Sequence, residues 1–133
     1  MPTMTAAQRR ERDRAKYNVF LAECPSRQLL DRLSDKWVSL VVQSLADGAQ
    51  RYSEIARSVA GVSQKMLTQT LRGLERDGFV AREVTPSVPV RVDYRLTDLG
   101  GSLLPVMRAV VDWAEQHMDD VHAARAEFDE RVA

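Results

Sequence analysis

Ser63-Gln64-Lys65-Met66-Leu67-Thr68-Gln69-Thr70-Leu71-Arg72-Gly73-Leu74-Glu75-Arg76-Asp77-Gly78 decides how the chain reads. Met66, Leu67, Thr70, Leu71 and Leu74 recur at steps of three and four, the spacing of one buried helix face. Ser63 offers a side-chain oxygen to the free N–H groups of the first turn, and Gly78 supplies the stop. The opposite face carries Gln64, Lys65, Thr68, Gln69, Arg72 and Arg76. Each of these donates hydrogen bonds and none is an acid, whereas a merely solvated face ordinarily mixes signs.

Upstream, Ser53 starts a shorter helix with Ile55 and Val59 as apolar positions and Gly61 as its end. Before it, Ser34-Asp35 opens a helix on which Trp37, Leu40, Val41, Ser44 and Leu45 share a face, stopped by Gly48. Pro25 suits the first turn of another helix, where its missing N–H costs nothing, and Leu29, Leu30 and Leu33 form its stripe. Met4 to Asn18 is charged, lacks Gly and Pro, and reads as a helix or a frayed arm. Downstream, the period changes from 3.6 to 2. Phe79 to Thr85 is rich in strand formers, and Pro86-Ser87-Val88-Pro89 is a turn. Val90, Val92, Tyr94 and Leu96 then alternate with Arg91, Asp93 and Arg95. Thr97 caps a long final helix with the stripe Leu103, Leu104, Met107, Val110, Val111, Ala114 and Met118.

At 133 residues the chain is one domain, with residues 1–22 as an N-terminal arm or helix and 98–133 as a C-terminal helix. Hydrophobic residues at 44% exclude a disordered chain. No apolar run nears the roughly 20 residues of a membrane helix, so no membrane partner is expected. The charged N-terminus has no signal-peptide core, which makes the cytoplasm the expected compartment. A single cysteine, Cys24, excludes an internal disulfide and a cysteine-built metal site. Lys+Arg and Asp+Glu both number 19, yet the charge is uneven. Residues 51–96 hold eight basic and five acidic side chains, and residues 97–133 hold three and eight. A neutral total therefore leaves a polyanion partner open.

Helices, a helix-turn-helix, a hairpin and a long helix make a mainly α protein with a small β-hairpin (α+β), in the order of a winged helix-turn-helix. The second helix of such a motif lies in the DNA major groove. Gln64, Lys65, Thr68, Gln69 and Arg72 have the required chemistry, since Gln pairs with adenine and Arg or Lys with guanine. Arg91, beside the hairpin tip, is placed for a minor groove or a phosphate. Helix starts at Ser53 and Ser63 present N–H groups to phosphate, and Lys36 reaches the same backbone. A polar face beside a hairpin also occurs in modules that bind only protein, so the residues alone leave both readings open. A DNA reader would show weak, steeply salt-dependent affinity for random duplex, and a protein-binding module would not.

Several stretches resemble one family: Cys24-Pro-Ser-Arg27, Asp35-Lys-Trp37, Arg51-Tyr-Ser-Glu-Ile55, the run from Gly61 through Gly78, and Val88-Pro-Val-Arg-Val-Asp-Tyr-Arg-Leu-Thr97. They are similar to the HxlR-type transcriptional regulators, bacterial relatives of the MarR winged-helix group. The likeness runs from about Cys24 to Met118. The family's glycine pair before Lys-Trp is Ser34-Asp35 here, and its second wing proline is Val90. Neither change falls on the proposed DNA face. The resemblance implies a homodimer on double-stranded DNA, with N- and C-terminal dimerisation helices and a palindromic operator. The apolar stripe from Leu103 to Met118 agrees, because it exceeds what one small core covers; the bland alternative is that it closes its own core.

Cys24 stands at a helix start, where the positive end of the dipole favours a thiolate. Some HxlR-type proteins sense oxidants or electrophiles through such a cysteine, which makes Cys24 a candidate sensor; filling apolar space is the plainer role. Trp37 is either core packing or the wall of an effector pocket facing the C-terminal helix, and a ligand-sensing regulator without thiol chemistry is a second rival. His117 and His122 lie five apart with no third ligand evident, so no metal is expected. No catalytic set and no cofactor motif stands out. The reading is a sequence-specific regulator, a repressor on grounds of size, released by a small-molecule or redox signal.

Overall fold

An amphipathic helix needs a partner surface for its apolar face. In the structure, a computed structural model that describes residues 3–133 and, over residues 15–23, the backbone alone, Leu67, Leu71 and Leu74 find one. The elements are α1 (Ala6–Glu23), α2 (Pro25–Leu33), α3 (Lys36–Ser44), β1 (Gln50–Arg51), α4 (Tyr52–Ser58), α5 (Gln64–Arg76), β2 (Val80–Thr85), β3 (Arg91–Leu96), α6 (Asp98–Gly101) and α7 (Leu104–Val132). The α5 leucines pack with Val38, Val41, Val42 and Leu45 from α3 and its end, Ile55 and Val59 from α4, and Val80 from β2. Leu103 and Met107 close the cluster from the start of α7. Full burial of one such side chain contributes roughly 1.5–3 kcal/mol, so this centre holds itself together.

Local chemistry sets the boundaries. Thr5 and Gln8 form a capping box, with Thr5 N–H donating to Oε1 at 2.9 Å and Gln8 N–H to Oγ1 at 3.1 Å. The helix alternative for the Met4–Asn18 stretch thus holds from Ala6 onward, with Thr5 as its cap. Ser34 closes α2, while Asp35 caps α3 by accepting from Trp37 N–H at 2.9 Å. Gly78, at φ +82°, takes the left-handed turn after α5; its N–H donates to Glu75 O and that of Phe79 to Leu74 O.

Three expectations are corrected. The fourth helix does not open at Ser53: Arg51 is its N-cap and Ser53 lies in the first turn. Gln50 and Arg51 are drawn into a short strand opposite Tyr94 and Asp93, so the hairpin becomes a three-stranded antiparallel sheet in the order β1-β3-β2. Glu54 fixes the shift by accepting from the Arg51 N–H and from its Nε, both at 3.2 Å. Thr97, in turn, caps only the short α6, through Gly100 N–H at 3.1 Å. Pro105 has no N–H to continue the ladder, and α7 starts separately at Leu104. Gly100 sits so close to α5's exit that a Cβ there would lie 2.0 Å from Phe79 O.

Candidate nucleic-acid interface

The buried face of α5 fixes where its other face points. Leu67, Thr70, Leu71 and Leu74 are buried, so Lys65, Gln69, Arg72 and Arg76 form an exposed crest on the far side, with exposed Gln64 at its start. Ser63 Oγ accepts from Met66 N–H at 3.1 Å and holds the first turn. The helix is braced on both flanks. Towards α2, Arg32 Nε lies 2.6 Å from Asp77 Oδ2, and a Cβ on Gly73 would meet Arg32 at 3.3 Å. Towards the sheet, the Tyr52 hydroxyl donates to Gln64 O at 3.0 Å and lies 3.4 Å from Thr68 Oγ1.

The bracing separates the sequence candidates. Gln64, Lys65, Gln69 and Arg72 are presented together and exposed, whereas Thr68 is half-buried at the sheet-side edge with Tyr52. Ser53 is exposed in the first turn of α4. Lys36 is exposed, with Nζ 4.6 Å from the Trp37 ring centroid. A Cβ on Gly61 would lie 3.9 Å from that ring, so Lys36 and Trp37 stand by the turn that leads into α5. Trp37 is half-buried, packing against the core cluster as well as standing by this turn.

On the wing, Arg91 opposes Thr85 and its Nε lies 2.9 Å from Asp93 Oδ2. That hydrogen bond, and then the charge of Asp93, hold the guanidinium's pKa above its ordinary value, with Glu54 adding a smaller push. Arg95 and Glu83 pair at 2.5 Å on the same sheet face. On the other face, Arg82 opposes Tyr94, and both line an open groove of about 420 Å³ shared with Tyr52, Thr68, Arg72 and Glu75. Neither Tyr52 nor Arg82 is announced by the sequence, because Tyr52 reaches α5 from the start of α4 and Arg82 is brought beside it only by the sheet register. Cys24, half-exposed, is the N-cap of α2, its Sγ accepting from Arg27 N–H at 3.4 Å. Among the described residues no cluster suits a metal ion and no helix is long and apolar enough to cross a membrane.

Residues 32–122 match the family described as HxlR-like helix-turn-helix. The chain belongs to that family. The HxlR match takes in α3, α4, α5, the sheet and more than half of α7, and it leaves α1 outside. The HTH-type transcriptional regulator YtfH of Escherichia coli strain K12 is 41% identical over 116 residues, covering 87% of this chain and 90% of that protein. The structure of a transcriptional regulator, ytfH from Salmonella typhimurium, superimposes with TM-score 0.71 at 41% identity, over 80% of this chain and 96% of the other. The redox regulator HypR in its oxidised form gives TM-score 0.66 at 38% identity, over 71% and 97%. This HxlR-family chain is a transcriptional regulator with a DNA-binding helix-turn-helix on a winged-helix fold.

Proposed function

We propose that this chain is a cytoplasmic, homodimeric, sequence-specific repressor that lays α5 in the major groove of each half of a palindromic operator. The observation that carries this is the exposed crest Lys65–Gln69–Arg72 on a helix whose other face is locked in the core. Gln64, Lys65, Gln69 and Arg72 read bases, with Thr68 at the margin beside Tyr52. Ser53, Ser63 and Lys36 set the position on the phosphates, and Arg91 acts from the wing.

Dimerisation is supported by α7. Val106, Val110 and Trp113 are exposed on one side of it, around an almost wholly apolar surface that includes Ala109. A strip of this kind on a 29-residue helix suits a second copy related by a two-fold axis. The signal is assigned to Cys24. Its Sγ caps α2, so alkylation or oxidation adds bulk at the atom that Arg27 N–H now donates to and disturbs the α1–α2 corner. The similarity to the redox regulator HypR favours this reading.

Selection of bound sequences from a random duplex pool tests it. The expected product is an inverted repeat with half-sites about one helical turn apart. No enrichment, or enrichment of a single unrepeated site, contradicts it. Cys24→Ser is expected to bind the selected sequence normally and to ignore electrophile or oxidant; an unchanged response removes the sensor role.

A further inference from the structure

The groove between α5 and the sheet holds charges that the fold does not use. Arg72 on the helix and Arg82 on β2 both line it, and among the described residues neither has a hydrogen bond or ion pair. The contrast with the opposite sheet face is sharp. There, Arg91 is paired with Asp93 and Arg95 with Glu83. The Tyr94 hydroxyl, also on the groove, has no partner within the described residues, while that of Tyr52 is spent on Gln64 O. One acid, Glu75, shares the groove and is likewise unpaired.

We infer that this groove is a phosphodiester site for the DNA strand that separates the major groove from the minor groove. The inference rests on α5 being the major-groove helix. With α5 in that groove and the wing beside the next, the intervening sugar-phosphate strand has to cross the space between helix and sheet. Two guanidinium groups, one from the helix and one from the sheet, suit one phosphate, because each offers a planar fork of donors, and Tyr94 beside Arg82 adds a neutral donor. Arg82 is therefore a phosphate anchor and Arg72 has a double part, at the rim of the crest and in the groove. Glu75 opposes the phosphate. It makes this contact weaker than the arginines alone would.

The test uses the full-length protein and a fluorescent duplex of random sequence, because a phosphate contact carries no sequence information. Arg82→Ala is expected to weaken binding on every duplex alike and to reduce the slope of log affinity against log salt by about 0.9, the share of one phosphate. Arg82→Lys keeps the charge and restores most of that slope. Glu75→Gln is expected to tighten binding at low salt, with the gain fading as salt rises. A merely structural role for either residue moves neither slope, and circular dichroism checks that the variants remain folded. Unchanged affinity and slope in Arg82→Ala, with Arg72→Ala still impaired, overturns the groove assignment and leaves α5 as the reading helix. Absence of duplex binding by the wild-type protein overturns both. Saturable binding of inorganic phosphate by the free protein, lost in Arg82→Ala while duplex binding is kept, assigns the groove to a free anion and overturns the inference.

Discussion

The centre of the molecule and its two terminal helices solve opposite problems. In α3, α4, α5 and β2 nearly every apolar side chain meets another, and Val41, Val42, Ile55, Leu67 and Leu74 are wholly buried. In α7 only Leu103, just before it, and Met107 in its first turn are buried, and beyond them Val110 is 64% and Trp113 55% exposed. The described side chains of α1 are exposed on every side. The centre satisfies itself and leaves polar donors free to face outward. The C-terminal helix α7 leaves apolar area open, and the described part of α1 presents polar and charged side chains.

That contrast breaks first on stability. Leu67→Ala in the centre is expected to cost roughly 2–5 kcal/mol in urea unfolding, the range for truncating a buried leucine. If a cut of that size were found equally for Val132→Ala at the far end of α7, the division would be wrong. On association the order reverses. Val110→Asp leaves the core intact but places an unpaired charge on the strip, and sedimentation velocity is expected to show a monomer with native helicity, the dimer weakened by about 3 kcal/mol. A smaller effect sharpens the centre's own boundaries: Asp35→Ala removes the cap on Trp37 N–H and is expected to cost about 1 kcal/mol. The smallest concerns pH. The Arg51 N–H, and then its guanidinium, hold the Glu54 carboxyl below its ordinary 4.5. The stability from this pairing is complete above that value and is lost as pH falls through the lowered one, so Glu54→Gln is expected to flatten a slight acid-side decline in thermal stability.

Most of the centre was legible in the sequence because periodicity and caps agree there. Ser63, the leucines of α5 and Gly78 all point to one helix, and the alternation read from Val90 to Leu96 matches the two faces of β3 from Arg91 onward, with Val90 left outside the strand. What escaped was whatever depends on a third element. The strand at Gln50–Arg51 is two residues long and exists through its partner β3, so no alternation announces it. The break before Leu104 comes from Pro105, whose place inside a strong apolar stripe hid its effect on the ladder. The departure Ser34-Asp35 resolves into a division of labour, the first ending one helix and the second starting the next. Helical spacing puts Thr68 with the outward donors, but it is half-buried where Tyr52 reaches across to it. The exposed strip on α7 includes Val106 and Trp113, which the stripe read from Leu103 to Met118 omitted.

DNA binding in this proposal centres on the crest of α5, with the wing and the turn beside it, and leaves the charges of α7 away from the duplex. The direct measurement is a fluorescence anisotropy titration of random duplex at about 50 mM and 200 mM salt, comparing wild type with the Lys65→Ala/Arg72→Ala pair and with Arg125→Ala/Arg131→Ala on α7. Wild-type affinity is expected to fall steeply with salt, the α5 pair to lose about tenfold or more at the lower salt, and the α7 pair to behave as wild type. Equal losses in the two pairs, or no loss in the α5 pair, would contradict it.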